Sequence, residues 1–175
     1  MPNYDFTIPV PIEGTGFVWN PYTSEDFFNP NCFSLNEWHN ILDKINSRHE
    51  FEEYIEKYKN ILMCFLLYKR SSPATPTGMC LLLDETGWYD NLPPWKVISV
   101  HGGGWYKDAS NRFIYAKAWI HMVHFFNALG CKVLTDFNEN NHPAKHLILN
   151  TGFTKNKDIA MYEYHKELDR FKDKG

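Results

Sequence analysis

Cysteine is scarce in this chain and badly spaced for metal. The 175 residues hold four, Cys32, Cys64, Cys80 and Cys131, and no two stand at the short separation that zinc sites use. Three of them sit in apolar runs or at an element edge, which predicts buried free thiols and a reducing, cytoplasmic setting. Positive charge is not in excess either. The 18 Lys and Arg against 21 Asp and Glu give a net charge of −3, so no global basic field recruits nucleic acid, and none is expected as a partner. Long apolar runs are missing. The longest, "ILMCFLL", has the length of a strand, so no membrane span is expected. The first residues, "MPNYDFTIPVP", lack a basic start and an apolar stretch, so no signal peptide is expected. No repeat and no low-complexity segment is present.

Apolar residues are plentiful. They make up 43% of the chain and aromatics 17%, enough for a folded core and, at this length, for a single domain over residues 1–175. The most conspicuous stretch is Val100-His101-Gly102-Gly103-Gly104-Trp105. An HGGG run of this kind builds the oxyanion hole of α/β-hydrolases, but that fold also needs a nucleophilic serine in a G-x-S-x-G elbow. Ser24, Ser34, Ser47, Ser71, Ser72, Ser99 and Ser110 are all the serines, and none stands between glycines at that spacing. The hydrolase reading fails on its own requirement.

Periodicity gives the element order. Residues 1–31 read as an opening strand and loops. Ser34-Leu35-Asn36-Glu37 is a capping box before a helix carrying Trp38, Ile41, Leu42 and Ile45 on one face. A second helix repeats the spacing with Phe51, Tyr54, Ile55 and Tyr58. "ILMCFLLYK" and "GMCLLLD" read as a hairpin around a loop from Ser71 to Thr77. A further loop over 85–94 leads to the strand "WKVISVHGGGWY". Ser110 then caps a long helix with Ala116, Trp119, Ile120 and Val123 on one face, ending at Gly130. "CKVLTDF" is a strand, "NENNHPAKHLILNTGF" a short helix opened by Pro143 and closed by Gly152, and "IAMYEYHKEL" a last strand. The strand–helix–strand unit in the middle demands a parallel pair in an otherwise hairpin-joined sheet.

That order, and above all "NENNHPAKHLILNTGF", resembles the GNAT family of acyl-CoA-dependent N-acyltransferases. The stretch is similar to the family's motif B, in which a strand ends at Asn, a Pro-Ala pair opens a helix and Gly-Phe closes it. "ALGCKVL" is similar to the junction that precedes motif B. The resemblance implies an α+β fold: a central twisted, mostly antiparallel sheet, helices on both faces, and a parallel strand pair that splays apart. It implies acetyl-CoA as co-substrate and an amine of a small molecule or peptide as acceptor, with pairing of two copies left open. Aligned on motif B, Trp105, Tyr106 and Lys107 fall at the end of the family's fourth strand. Ser110, Asn111, Arg112, Phe113, Ile114 and Tyr115 fall on its phosphate loop and helix start, where amides bind a pyrophosphate. None of those six is the glycine that the family usually has there. Arg112 offers a charge-assisted bond to phosphate. Ile148 stands where many members carry a proton-donating tyrosine. The three glycines would let the pantetheine arm, or a bulge, come close to the strand backbone.

Acyl transfer to an amine needs a base for the ammonium proton and a donor for the leaving thiolate. Strand alternation puts Ser99, His101 and Gly103 on one face, and an imidazole, titrating near ~6.5, suits the base. Tyr162, on the last strand with Tyr164, is the candidate donor. Asn141 is a helix cap, a contact to the CoA arm, or both. His142 and His146 have the i, i+4 spacing of zinc ligands, but no third ligand is near in sequence, and no metal is expected. The second class of function is a GNAT-like CoA-binding or regulatory module without turnover.

Overall fold

The computed structural model describes residues 9–23, 53, 56–57, 62–105 and 109–171. The two helices expected over 34–58, with their capping box, and Cys32 lie outside the described residues apart from Glu53, Glu56 and Lys57, which are helical. By its contacts the chain divides into two compact units, one containing Asp84–His101 and Trp119–Gly175, the other Asp5–Leu83 and Gly102–Ala118.

The second of these is an antiparallel meander. β1 (Val10–Ile12) turns through Gly14 and Gly16 into β2 (Phe17–Thr23), which pairs β3 (Leu62–Lys69), which pairs β4 (Ser72–Asp84). Both turn glycines have positive φ, 74° and 71°, which glycine adopts without a Cβ penalty. A hairpin thus stands where the sequence suggested one strand and loops. The Ser71–Thr77 segment, read as a loop for its two prolines, is mostly strand. Pro76 pairs with Tyr68 across register shifts at Leu67, Tyr68 and Lys69, and bulges of this kind are where a strand accommodates proline. Trp19 is fully buried and its indole N–H donates to the Ala118 carbonyl at 3.0 Å. With Phe65, Leu66, Leu67, Leu81 and Leu82 it forms the core of this unit.

The other unit is βαβαββ in outline. β5 (Val97–Trp105) enters it with residues 97–101, and the long helix α1 (Ala109–Ala128) enters with its C-terminal part. Then come β6 (Lys132–Thr135), α2 (His142–Asn150), β7 (Phe153–Asn156) and β8 (Met161–Tyr164). The strands lie in the order β5-β6-β8-β7. β5 and β6 are parallel; β6/β8 and β7/β8 are antiparallel. The fold is therefore α+β as expected, and among the described strand pairings one is parallel and the others antiparallel. The α1 residues buried here are Trp119, Met122, Val123 and Phe126, so the stripe lies beside the predicted one: Ala116 and Ile120 are only half-buried. Ser110 lies inside the helix rather than capping it. Pro143 and the Asn141 cap start α2 as predicted, and β7, too short and polar to read from sequence, precedes the last strand.

No helix among the described residues is long and apolar enough to cross a membrane. Cys64, Cys80 and Cys131 are buried. Burial pushes all three thiols up from their ordinary range, which keeps them protonated and unreactive. Iodoacetamide at pH 8 is therefore expected to spare these three in the native protein and to label them in urea, as peptide mass spectrometry would show. Native labelling of Cys64 or Cys80 at the urea rate would contradict the packing.

Candidate functional site

The parallel pair is where the sheet changes character. Its register runs Val97↔Lys132, Ile98↔Val133, Ser99↔Leu134, and among the described residues Ser99↔Leu134 is the last rung. One residue on, the Thr135 hydroxyl, buried, donates to the Val100 carbonyl at 2.8 Å. β6 ends there, while β5 continues to Trp105. Among the described residues no β5–β6 rung follows Ser99↔Leu134.

Ser99 is fully buried, so its hydroxyl needs a partner. It donates to Glu85 Oε1 at 2.8 Å. Glu85 lies just before a single 3-10 turn, Thr86–Trp88, which is pinned to β5 by Glu85 N–H donating to the Val97 carbonyl at 2.8 Å. Thr86 is fastened by donating its hydroxyl to the Asp84 carboxylate. The second oxygen of Glu85, Oε2, accepts from the Trp88 indole N–H at 2.8 Å. The fold thus builds a half-buried carboxylate against the last rung of the parallel pair. Sequence reasoning missed Glu85, because the bond joins residues 14 apart across a turn. The available signal was a polar Ser99 in an apolar strand.

The other candidates fall as follows. His101 is on β5 two residues after Ser99. Tyr162 lies on β8, registered with Thr135, its ring 4.7 Å from that of Phe137. Tyr164 is fixed: its hydroxyl donates to Asp169 Oδ2 at 2.7 Å, and His124 Nε2 meets the same oxygen at 2.5 Å. Burial first, then the Asp169 hydrogen bond, pushes the Tyr164 phenol far up, so it serves structure. Asn141 caps α2, its Oδ1 accepting from Ala144 N–H at 3.3 Å. Ile148 is buried on α2.

Trp105 ends β5; Tyr106 and Lys107 lie outside the described residues. Ser110, Asn111, Arg112, Phe113, Ile114 and Tyr115 all belong to the first two turns of α1. The first turn of that helix carries no acidic side chain, and its leading amides lack intrahelical acceptors, which makes such an end compatible with a phosphate.

No family model matches the chain, and no curated protein matches it in sequence. Solved structures do. Apo FdhC, a nucleotide-linked sugar GNAT, superposes with a TM-score of 0.58 at 14% identity over 92% of this chain and 93% of its own. A Vibrio cholerae protein assigned as a ribosomal-protein-serine acetyltransferase gives 0.53 at 16%, over 89% and 86%. RimL, the ribosomal L7/L12 α-N-protein acetyltransferase, in complex with coenzyme A gives 0.54 at 10%, over 84% of each chain. The chain has the GNAT fold.

Proposed function

We propose that this protein is an acyl-CoA-dependent N-acyltransferase that moves an acetyl group from acetyl-CoA to an amine of a small molecule or peptide. The observation that carries the reading is the parallel pair that loses its rungs after Ser99↔Leu134 while β5 runs on. A pantetheine arm, with its two amides, is a strand-like ligand for that edge. The fold neighbours support the reading, since FdhC and RimL bear transferase names and one RimL structure holds CoA.

Bound acetyl-CoA would supply the activated thioester; the rest is work for the chain. Amides at the start of α1, in residues 110–115, hold the pyrophosphate, helped by the Arg112 charge. Trp105, Tyr106 and Lys107 are assigned to CoA binding as well, and Asn141 to a polar contact with its arm. His101 takes the proton from the acceptor ammonium, and Tyr162 returns one to the leaving thiolate.

A second reading has its own observation. Ile148, buried on α2, occupies the place of the proton-donating tyrosine of many members and cannot donate. A module that binds CoA without turnover would look like this. Calorimetric titration with CoA and acetyl-CoA, followed by a thiol-release assay over a panel of amines, separates the readings. Binding with amine-dependent thiol release is the expected outcome; binding without release favours the module; no binding of either ligand rejects both.

The phosphate placement makes a prediction of two signs. Asn111→Asp adds an anion to the first turn of α1, which favours the helix dipole but repels pyrophosphate. Melting temperature should hold or rise slightly, while CoA affinity falls about tenfold, or 1.4 kcal/mol. Unchanged affinity would move the pyrophosphate elsewhere.

A further inference from the structure

Among the described residues Glu85 meets no countercharge. Its two oxygens accept from Ser99 and from Trp88, both neutral donors, at 2.8 Å each. Among the described residues no Lys, Arg or His is ion-paired with it. Lys132, which starts β6, is committed to Glu163 at 3.0 Å and lies 4.7 Å over the Tyr89 ring. A carboxylate offers about four lone-pair sites, so roughly two remain open at Glu85. Partial burial makes an uncompensated charge costly, and an ammonium donor offsets that cost.

Trp88 strengthens the same conclusion. It is 59% exposed, the most exposed large apolar side chain among the described residues, yet its indole N–H is tied to the carboxylate. A tryptophan held in this way presents a fixed π face to solvent, and that face is the best aromatic partner for a cation. Carboxylate and ring lie side by side on one turn, and Ser99 fastens them to the last rung of the parallel pair.

We propose that Glu85 and Trp88 form an ammonium-binding subsite that receives the acceptor amine as its cation, before His101 deprotonates it. The acceptor assignment rests on the acyltransferase reading; ammonium binding itself does not. Glu85 here is a binding residue, and the acceptor class it selects is a protonated primary amine with an apolar flank for the indole.

The probe is n-butylammonium, with n-butanol as its neutral isostere, followed by saturation-transfer NMR on the full chain. Butylammonium should bind saturably and more weakly in high salt, and butanol should not. Glu85→Gln keeps shape and removes charge; Trp88→Leu keeps the charge and removes the ring. Each should weaken butylammonium at least about tenfold, with calorimetric CoA binding unchanged. Equal binding of butanol, no saturable butylammonium binding, or wild-type affinity in either variant overturns the subsite. If Glu85→Gln does not fold, Trp88→Leu alone decides in the same way. Loss of CoA binding by the wild type would reject the acyltransferase reading without touching the butylammonium result, so the two fail separately.

Discussion

Gly152→Ala is expected to remove about 3 kcal/mol of folding stability, against about 1 kcal/mol for Gly130→Ala, as urea denaturation of the two variants would show. Both glycines have left-handed backbone, φ 88° at Gly152 and 85° at Gly130, so both substitutions carry the conformational penalty. They differ in what the new methyl meets. At Gly130 the nearest atom is Lys96 Nζ at 3.1 Å, the far end of a flexible side chain that can swing away. At Gly152 a Cβ would lie 2.6 Å from the His165 carbonyl oxygen and 2.8 Å from the Asp169 amide nitrogen, both backbone atoms. Those atoms cannot retreat alone. His165 N–H donates to the Gly152 carbonyl and Arg170 N–H to that of Asn150, at 2.9 and 3.2 Å. Asp169, its side chain fully buried, holds Tyr164 and His124 as well. Pushing the segment away would strain that shared carboxylate, so the penalty spreads beyond the methyl. Equal losses at the two glycines would mean that the segment after β8 yields freely.

Gly152 also shows what the sequence makes legible. Asn141, Pro143 and Gly152 are local signals: a cap, a first-turn proline and a left-handed stop act within their own helix, and α2 lies where they put it. The same holds for the long helix and for β3 and β5, whose apolar runs exceed any loop. What failed was context. Element-breaking residues read Ser71–Thr77 as a loop, and residues 1–31 read as one strand and loops, yet Pro76 and Pro21 both pair with β3. The four residues of β7 carry one buried side chain, Phe153, too few to show a period. On α1, a helix apolar nearly all round, spacing alone could not say which side faces the sheet. His101, taken from strand alternation, and Tyr162, taken from the last strand, enter the site as proposals. Glu85 was not legible, because its meaning comes from Ser99, across a turn, and from the place where the parallel pair stops.

On the acyltransferase reading, His101→Ala is expected to lower acetyl transfer by about a hundredfold or more while leaving CoA affinity within about twofold of wild type, since general-base assistance contributes 10²–10⁴ in rate. The motivation is position. Ser99 ends the parallel ladder and reaches Glu85, and alternation assigns position 101 to the same face of β5, one step past the last rung. If Glu85 receives the ammonium, the residue two along the strand is where its proton should go. The two residues then separate by kinetic signature. Glu85→Gln should raise the acceptor KM with little change in kcat, because it weakens binding of ground state and transition state alike. His101→Ala should lower kcat and leave the acceptor KM nearly unchanged. Wild-type kcat should fall as the pH drops through the imidazole range, because a protonated base cannot accept, and the variant should lose that limb. His101→Gln distinguishes chemistry from shape, since an amide fills similar space without titrating. A His101→Gln variant with wild-type kcat and an unaltered acid limb would remove His101 from the proton path and leave the Glu85 carboxylate as the next group to test.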